Sequence, residues 1–517
     1  MKKLTSILLS LVLILSLCST AMLTVGAEET TASVWDGTAN IKWYFDGKTA
    51  GTGNYELKSA ADLAGFAYIV NASDTAACYS GVYYDANYNV LGYKLGTSND
   101  KKYADTSLVY TPTDGDGSQV TVGDSFVWQN VKLSVDVVLN TGNAADWATT
   151  APANEWQPIG GGIFEDTAKW FGFDGSFDGQ GHTVSGMYVS IDIEESAGAT
   201  GAGLFGILGN SVNASVANVN VENFYVEIEN AVSALVGRTR KPVTVENCNV
   251  SNGYLVGNKQ MAGALVGGAF GGDVTITNCG VNNVDIKGVN YIGGIVGLQN
   301  GSATNVSDSY CVATIAGEKQ VAPVIGHKNN GAVNVKNVYT VVAATETPDE
   351  GATSTGAGTV AGWLQNGASV AAENYYYVKN ITTTSDINGL EDEGVTEVTL
   401  AQLTGETAKT TLVGFDFETV WKMVENGTPV IEVREAPVEG GDEGGDDGSD
   451  EGSQGGTEDD GNDETEAPET NAPETNAPET NAPTTTEKSG CGSVIGFASI
   501  AMIVIGASAC VLRKKEN

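Results

Sequence analysis

Residues 203–339 decide the fold, because an apolar block that closes on glycine occurs there five times: Gly203-Leu204-Phe205-Gly206, Ala234-Leu235-Val236-Gly237, Ala264-Leu265-Val266-Gly267, Gly294-Ile295-Val296-Gly297 and Pro323-Val324-Ile325-Gly326. The closing glycines are 31, 30, 30 and 29 residues apart. A second series of polar residues keeps the same step: Asn218, Asn247, Asn278, Asp308 and Asn337. A fixed period near 30 residues is typical of a protein built from stacked repeats.

One repeat, residues 262–290, shows what each unit forms. Its Gly-Ala-Leu-Val-Gly block is followed by a β-branched stretch at 273–278, with turn residues between and after. Since no unit holds an amphipathic helical stretch, about three short strands per repeat predict an all-β solenoid, a parallel β-helix with rungs ~4.8 Å apart. We expect each closing glycine to be a corner that needs either a positive φ or a close backbone approach. We expect the Asn/Asp series to form a ladder whose side chains bond the backbone above and below.

These blocks resemble the GLUG motif of bacterial cell-surface proteins, in which a Gly-Leu-Val-Gly block is followed by an Asn-Cys-Tyr-type block. The resemblance covers roughly residues 34–434, and Trp35-Asp36-Gly37-Thr38 resembles the leader that precedes such repeats. Membership implies a right-handed β-helix on an adhesin-like surface protein and no particular enzymatic activity. The next block, Thr359-Val360-Ala361-Gly362, follows Gly326 at a longer spacing, which predicts an insertion between them.

The N-terminal third divides into three parts. Residues 1–27 are a predicted signal peptide, with Lys2-Lys3 before an apolar run. Residues 28–78 form a predicted N-terminal cap that contains a helix from Ser59 to Asn71, with Ser59 as its N-cap. Residues 79–130 are rich in aromatic residues and are predicted to be an insertion of one or two hairpins before the first rung strand, 131–139.

The rest of the chain is predicted to contain four parts. The β-helix spans 131–374, and a C-terminal cap spans 375–434, with a short helix near 399–403 and a closing strand pair. Residues 435–488 form an acidic, Thr- and Pro-rich disordered linker. Residues 489–517 form a membrane anchor, an apolar helix with a basic tail. Cys491 is an anchoring candidate: either the helix alone anchors the protein, or the motif around Cys491 is processed or lipidated.

Charge and cysteine usage exclude some functions. The formal net charge is −38, and residues 439–487 contain 17 acidic side chains without Lys or Arg, so a nucleic-acid partner is excluded. Cys248 and Cys279 occupy equivalent repeat positions. We interpret them as buried thiols, with a disulfide as the alternative.

No resident cofactor or metal is predicted, although calcium stays possible. Residues 114–118, Asp-Gly-Asp-Gly-Ser, resemble the start of a calcium loop. However, Ser125 stands where such a loop needs a bidentate Glu, so a tight turn is preferred.

No catalytic residues are predicted, and the chain is more consistent with a non-enzyme. Asp174 and Asp178 are a possible carboxylate pair for glycoside chemistry, but both belong to Asp-Gly turn sequences. The two histidines, His182 and His327, are far apart, and the basic cluster that begins at Arg238 is interpreted as a solvated turn.

Three functions remain open for a protein predicted to be extracellular and anchored to the membrane or cell wall. The first is a binding protein for an extracellular glycan or protein ligand. The second is a polysaccharide lyase or glycoside hydrolase, and the third is a structural spacer. For the binding protein, aromatic side chains of the insertion would contact the ligand; the candidates are Tyr83, Tyr84, Tyr88, Tyr93 and Trp128.

Overall fold

The computed structural model describes residues 33–73, 78–97, 104–162, 169–191, 200–346, 358–382 and 394–432. The predicted signal peptide, linker and anchor, including Cys491, lie outside these residues. In the described ranges no helix combines the length and the apolar character needed to cross a bilayer.

The described residues are mostly β-strand. The helices are α1 (Lys42–Ala50), α2 (Ala60–Asn71) and α3 (Thr407–Thr411), and short 3-10 helices span Thr106–Leu108, Ala144–Asp146 and Leu400–Leu403. The strands are β1 (Asn54–Leu57), β2 (Tyr79–Tyr84), β3 (Val90–Leu95), β4 (Gln119–Thr121), β5 (Asn130–Leu133), β6 (Val137–Val138), β7 (Ser176–Asp178), β8 (Thr183–Ser185), β9 (Tyr188–Ser190), β10 (Phe205–Leu208), β11 (Ala214–Ala217), β12 (Asn220–Glu222), β13 (Tyr225–Val232), β14 (Val236–Thr239), β15 (Val243–Glu246), β16 (Asn249–Ala262), β17 (Val266–Ala269), β18 (Val274–Thr277), β19 (Gly280–Gly293), β20 (Val296–Asn300), β21 (Thr304–Gly317), β22 (Lys319–Ala322), β23 (Ile325–Asn329), β24 (Ala332–Glu346), β25 (Ala361–Gln365), β26 (Ser369–Thr382), β27 (Val395–Val398), β28 (Trp421–Lys422) and β29 (Val430–Ile431).

Two parallel sheets carry the repeat. One has 18 strands, and the other has six, β10, β14, β17, β20, β23 and β25. In the six-stranded sheet each apolar block pairs in register with the next block, and the paired residues are Phe205, Val236, Val266, Val296, Ile325 and Ala361. The predicted period of about 30 residues is therefore confirmed as the step between paired strands. The longer last step, from Ile325 to Ala361, confirms the predicted insertion.

The closing glycines lie inside strands rather than at corners, and none of those in residues 203–339 has a positive φ. A Cβ added at Gly237 would lie 2.5 Å from the backbone nitrogen of Ala202 and 2.6 Å from the carbonyl carbon of Gly201. Of the two expected reasons for glycine, the close backbone approach is confirmed, and the corner location is wrong.

The corners are formed by the Asn/Asp series. Asn218 has φ +55°, Asn247 +51°, and Asn337 +51°, and Asn is one of the residues that tolerate this left-handed conformation. The prediction that their side chains bond the backbone is wrong, because these side chains bond each other. Asn247 Nδ2 donates to Asn218 Oδ1 at 2.7 Å, and Asn337 Nδ2 donates to Asp308 Oδ1 at 2.9 Å. A parallel ladder, Asn252 to Asn283, was not predicted.

The predicted helix is confirmed as α2, where Ser59 Oγ accepts from the backbone N–H of Asp62 at 3.1 Å. Phe66 of this helix packs on Phe173 and Phe177, so α2 covers the core of the first turns. The first rung strand was misplaced: strand β1 pairs in parallel with β5, so the ladder begins at Asn54. Helix α1 was not predicted.

Residues 400–431, the flank segment, confirm the predicted short helix and closing strand pair β28–β29. However, the pair packs along the 18-stranded sheet, against residues of β16, β21 and β24. The ring of Trp421 packs 5.6 Å from that of Tyr339 in β24, and Asn249 Nδ2 donates to the carbonyl of Ile431 at 2.9 Å. Parallel stacking continues beyond residue 374, because β27 pairs with β26.

Cys248 and Cys279 are buried thiols that no disulfide joins. Each Sγ lies 3.2 Å from a carbonyl oxygen two residues earlier in the chain, at Glu246 and Thr277. The preferred interpretation, two buried thiols in a ladder, is confirmed.

Candidate functional site

Strands β2, β3 and β4 form a three-stranded antiparallel sheet within the insertion, which confirms its hairpins. This sheet turns one face inward, where Val82 and Tyr93 are fully buried. Tyr93 stacks on Tyr79 with ring centroids 3.9 Å apart, and its hydroxyl bonds Gln157 Oε1 at 2.9 Å.

Two of the predicted ligand-contact residues, Tyr93 and Tyr84, lie in the core. Tyr84 is buried, and its ring stacks on Tyr88 with centroids 5.9 Å apart. Tyr83 and Tyr88 are half-buried. Tyr83 lies on the face of the sheet opposite to that of Tyr93. There it pairs with Val120, and its ring lies edge-on to the ring of Tyr110. Sequence alone could not separate these residues, because the side of a strand decides which tyrosine faces outward.

Trp128 is placed differently from the tyrosines. Its side chain is 73% exposed, and its φ is +58°, a conformation rare for a bulky residue. Phe126 has a similar φ of +59°, but its ring is buried against Tyr55 and Phe66, which stabilises that conformation. No comparable packing within the described residues holds the Trp128 ring.

Exposed apolar side chains concentrate in the insertion. In the described part of the chain, seven large apolar residues are exposed, and five of them belong to residues 79–130. We call these five the insertion surface: Leu95, Val120, Val122, Val127 and Trp128. Exposed apolar side chains mark an interaction site where they form a contiguous patch.

The possible calcium loop is a tight turn in the structure. Asp116 Oδ2 accepts from the Tyr110 hydroxyl at 2.5 Å and from the Thr113 N–H, while Oδ1 accepts from the Ser118 N–H. These bonds, first the one from Tyr110, lower the pKa of Asp116. Among the described residues no group of three His, Cys, Asp or Glu side chains is arranged to hold a metal ion.

The carboxylates considered for catalysis fix turns. Asp174 is buried and accepts from the Ser211 N–H at 2.8 Å, and burial raises its pKa. Asp178 Oδ1 accepts from Asn218 Nδ2 and from the Gln180 N–H, each at 2.9 Å. Both side chains are thus engaged in holding the backbone.

The histidines and the basic cluster also have packing roles. His182 Nδ1 lies 3.1 Å from Asp136 Oδ1, whereas His327 is buried between Tyr291 and Trp363. The interpretation of Arg238 as part of a solvated turn is wrong. Its guanidinium is buried, 5.0 Å from the ring centre of Trp170 and 5.1 Å from that of Phe270.

A cleft of about 460 Å³ lies between residues 34–36 and residues 140–154. Its apolar lining includes Trp35 and Trp147, and its polar lining includes Asp36, Asp146 and Thr150. Strand-like pairing of Val34 with Val138, with a 2.8 Å bond from the Trp35 N–H to the Val138 carbonyl, brings the two segments together. Sequence reasoning missed this cleft and assigned Trp35-Asp36 only to a leader. A Trp-Asp pair in both segments was the available signal.

Comparisons with known proteins give limited similarity. No protein-family model matches the chain. Halomucin from Haloquadratum walsbyi (strain DSM 16790 / HBSQ001) is 26% identical over 232 residues, which are 44% of this chain and 2% of halomucin. The chain is also similar to a candidate immunoglobulin A1 protease from Bacteroides ovatus, whose crystal structure superposes with a TM-score of 0.41 at 16% identity, over 60% of this chain and 87% of that one.

Proposed function

We propose that the chain is an extracellular, surface-anchored binding protein, adhesin-like, that recognises a glycan or protein ligand through the insertion surface. In this proposal the two sheets close into a right-handed parallel β-helix of the GLUG type. Their common period supports closure, since both sheets advance by one strand set per turn of about 30 residues.

Trp128 carries the proposal. A tryptophan ring in water stabilises no core, and a left-handed backbone at a bulky residue costs of order 1 kcal/mol or more. Strain of this kind accumulates at functional sites. Trp rings dominate many binding interfaces, because they offer a large, rigid apolar area for a sugar face or a protein pocket.

The surface location rests on the sequence. The signal-like N-terminus, the acidic linker and the apolar C-terminal stretch with a basic tail have the order expected of an anchored extracellular protein.

The test uses the full-length chain and two matched substitutions, Trp128→Ser in the insertion surface and Val413→Ser outside it. Val413 is 65% exposed, so neither change opens a cavity. Binding to immobilised mucin, pectin, xylan and collagen is measured with calcium and with a chelator, and released oligosaccharide is measured by mass spectrometry. Because a central aromatic contact contributes about 2 kcal/mol or more, we expect Trp128→Ser to weaken binding roughly 30-fold.

Retention of binding in Val413→Ser together with loss in Trp128→Ser supports the proposal. If both variants bind as well as the unsubstituted chain, the insertion surface is excluded as the binding site. Failure of the unsubstituted chain to bind any of the four materials favours the spacer, and release of oligosaccharide favours the lyase or hydrolase.

A further inference from the structure

The cleft between residues 34–36 and 140–154 has the size of a ligand site. Its volume of about 460 Å³ falls within the range of small-molecule pockets. None of its lining residues belongs to the insertion, so it is separate from the insertion surface.

The cleft walls are fixed before any ligand arrives. Asn140 Nδ2 donates to the Asn154 carbonyl at 2.7 Å, and Asn140 Oδ1 accepts from the Asn154 N–H at 2.9 Å. Asn154 Nδ2 in turn donates to the Trp35 carbonyl at 2.7 Å. Asn140 is buried, so these bonds are shielded from water and tie the two wall segments together. A preformed cleft avoids the cost of ordering its loops on binding.

The charged side chains that line the cleft are two carboxylates, Asp36 and Asp146, which act as hydrogen-bond acceptors. The Thr38 hydroxyl and N–H both donate to Asp36 Oδ1, which lowers the pKa of Asp36 and keeps it ionised. Both of these bonds are to Oδ1, so Oδ2 can accept a further hydrogen bond. The carboxylate of Asp146 accepts no hydrogen bond from the described residues. Among the side chains that line the cleft, none is Lys, Arg or His.

The apolar groups complete the chemistry. Trp35 is half-buried and lies edge-on to Trp156, and Trp147 is buried beneath the cleft. A pyranose ring has an apolar C–H face that packs on indole and hydroxyl groups that donate to carboxylates. A uronic or sialic acid would bring a third negative charge between Asp36 and Asp146.

We infer that this cleft binds a saccharide rich in hydrogen-bond donors, either a neutral or an amine-bearing hexose unit, and rejects acidic sugars. The site goes beyond the proposed contact through the insertion surface and does not depend on it. Neutral and amine-bearing rings share the chemistry that the cleft recognises, because both donate to carboxylates.

The test is titration calorimetry of the full-length chain with three trimers: cellotriose, a glucosamine trimer and a galacturonic acid trimer. We expect cellotriose, the glucosamine trimer or both to bind, and galacturonate to bind at least about tenfold more weakly. Asp146→Asn removes a charged acceptor and should weaken binding about tenfold. Ala151→Trp fills the cleft from an exposed lining position and should abolish binding. Val413→Ser, at an exposed position outside both proposed sites, is the control and should bind normally.

No binding of cellotriose or glucosamine trimer at about 10 mM overturns the inference, as does equal affinity for galacturonate or full binding by Ala151→Trp. The two proposals fail separately. If Trp128→Ser loses adhesion to immobilised material while the unsubstituted chain binds neither cellotriose nor the glucosamine trimer, the cleft inference alone is refuted. If the cleft binds the trimers normally while Trp128→Ser adheres normally, the insertion surface alone is refuted.

Discussion

Substitution of Trp421 by alanine should detach the flank segment from the 18-stranded sheet without unfolding the two parallel sheets. The Trp421 side chain is buried, with its ring 4.7 Å from Phe415, 5.6 Å from Tyr339 and 6.0 Å from Tyr310. Removing a buried Trp side chain costs about 3–5 kcal/mol. The segment's own strand pair is only two residues long on each side, so backbone pairing within it offsets little of that loss. A cost of this size favours local opening over global unfolding.

Hydrogen exchange followed by mass spectrometry measures the effect. Amide exchange in residues 410–431 should accelerate by about two to four orders of magnitude, the factor that 3–5 kcal/mol implies, while residues 203–300 keep their protection. Trp128→Ala makes the same chemical change at an exposed position and should alter stability by less than about 0.5 kcal/mol. Unchanged amide exchange in residues 410–431 of the Trp421 variant would refute the reasoning. An equal rise of the exchange rate throughout the two parallel sheets would refute it as well.

Four further predictions address the fold and the anchor. Gly237→Ala places a Cβ against the backbone of Ala202 and should destabilise the protein by about 1–3 kcal/mol in urea unfolding. The control Gly257→Ala should destabilise it less, because the nearest atom to its added Cβ is a side-chain atom at 3.3 Å. Equal losses of stability in the two variants would contradict the role of close backbone approach. Burial lowers the pKa of His327 to about 4 from 6.5, so its contribution is present above pH 6.5 and is lost as the pH falls towards 4. Urea titrations at both pH values should therefore show a smaller acid loss, by up to about 3 kcal/mol, in His327→Phe, and an identical loss would exclude this histidine. Cys491→Ser should leave the protein in the membrane fraction if the apolar helix suffices, and release into the medium would show that the cysteine is needed. Chelation of calcium should leave the melting temperature unchanged, because Asp116 is engaged in its turn, and a drop on chelation would reveal a calcium site.

The repeat could be predicted from the sequence because the apolar blocks and the Asn/Asp series recur about every 30 residues. The apolar blocks that contain Val236 and Val266 align in the structure as they do in the printed sequence. Helix α2 was equally accessible, since Ser59 caps it in a way that depends on neighbouring residues alone. Helix α1 was not, because Lys42–Ala50 is short, rich in aromatic residues and interrupted by Gly47, which favours other structures locally. Packing of Trp43 and Tyr44 in the core overrides that preference.

The candidate sites show the opposite limit. Trp128 and Tyr93 are both aromatic residues of the insertion, yet Tyr93 lies on the inward face of the three-stranded sheet and is buried, whereas Trp128 lies in a turn after the sheet and is exposed. The cleft joins Asp36 to Asp146, which are 110 positions apart in the chain (146 − 36). The pairing of Val34 with Val138 and the bond from Asn154 to Trp35 bring the two segments together, and no local sequence pattern predicts such long-range contacts.

The asparagine corners have a consequence for how such a chain can change length. From Asn337 to Asn374 the step is 37 residues, against 29 from Asp308 to Asn337, yet the side chains still bond at 3.0 Å and 2.9 Å. Most of the added residues enter between Glu346 and Ala361, at one junction between strands β24 and β25. A single junction thus accepts new sequence while both sheets keep their alignment. A protein with such parallel sheets can therefore serve as a scaffold for foreign peptides, which would be inserted at the equivalent junction of each repeat without redesign of the strands.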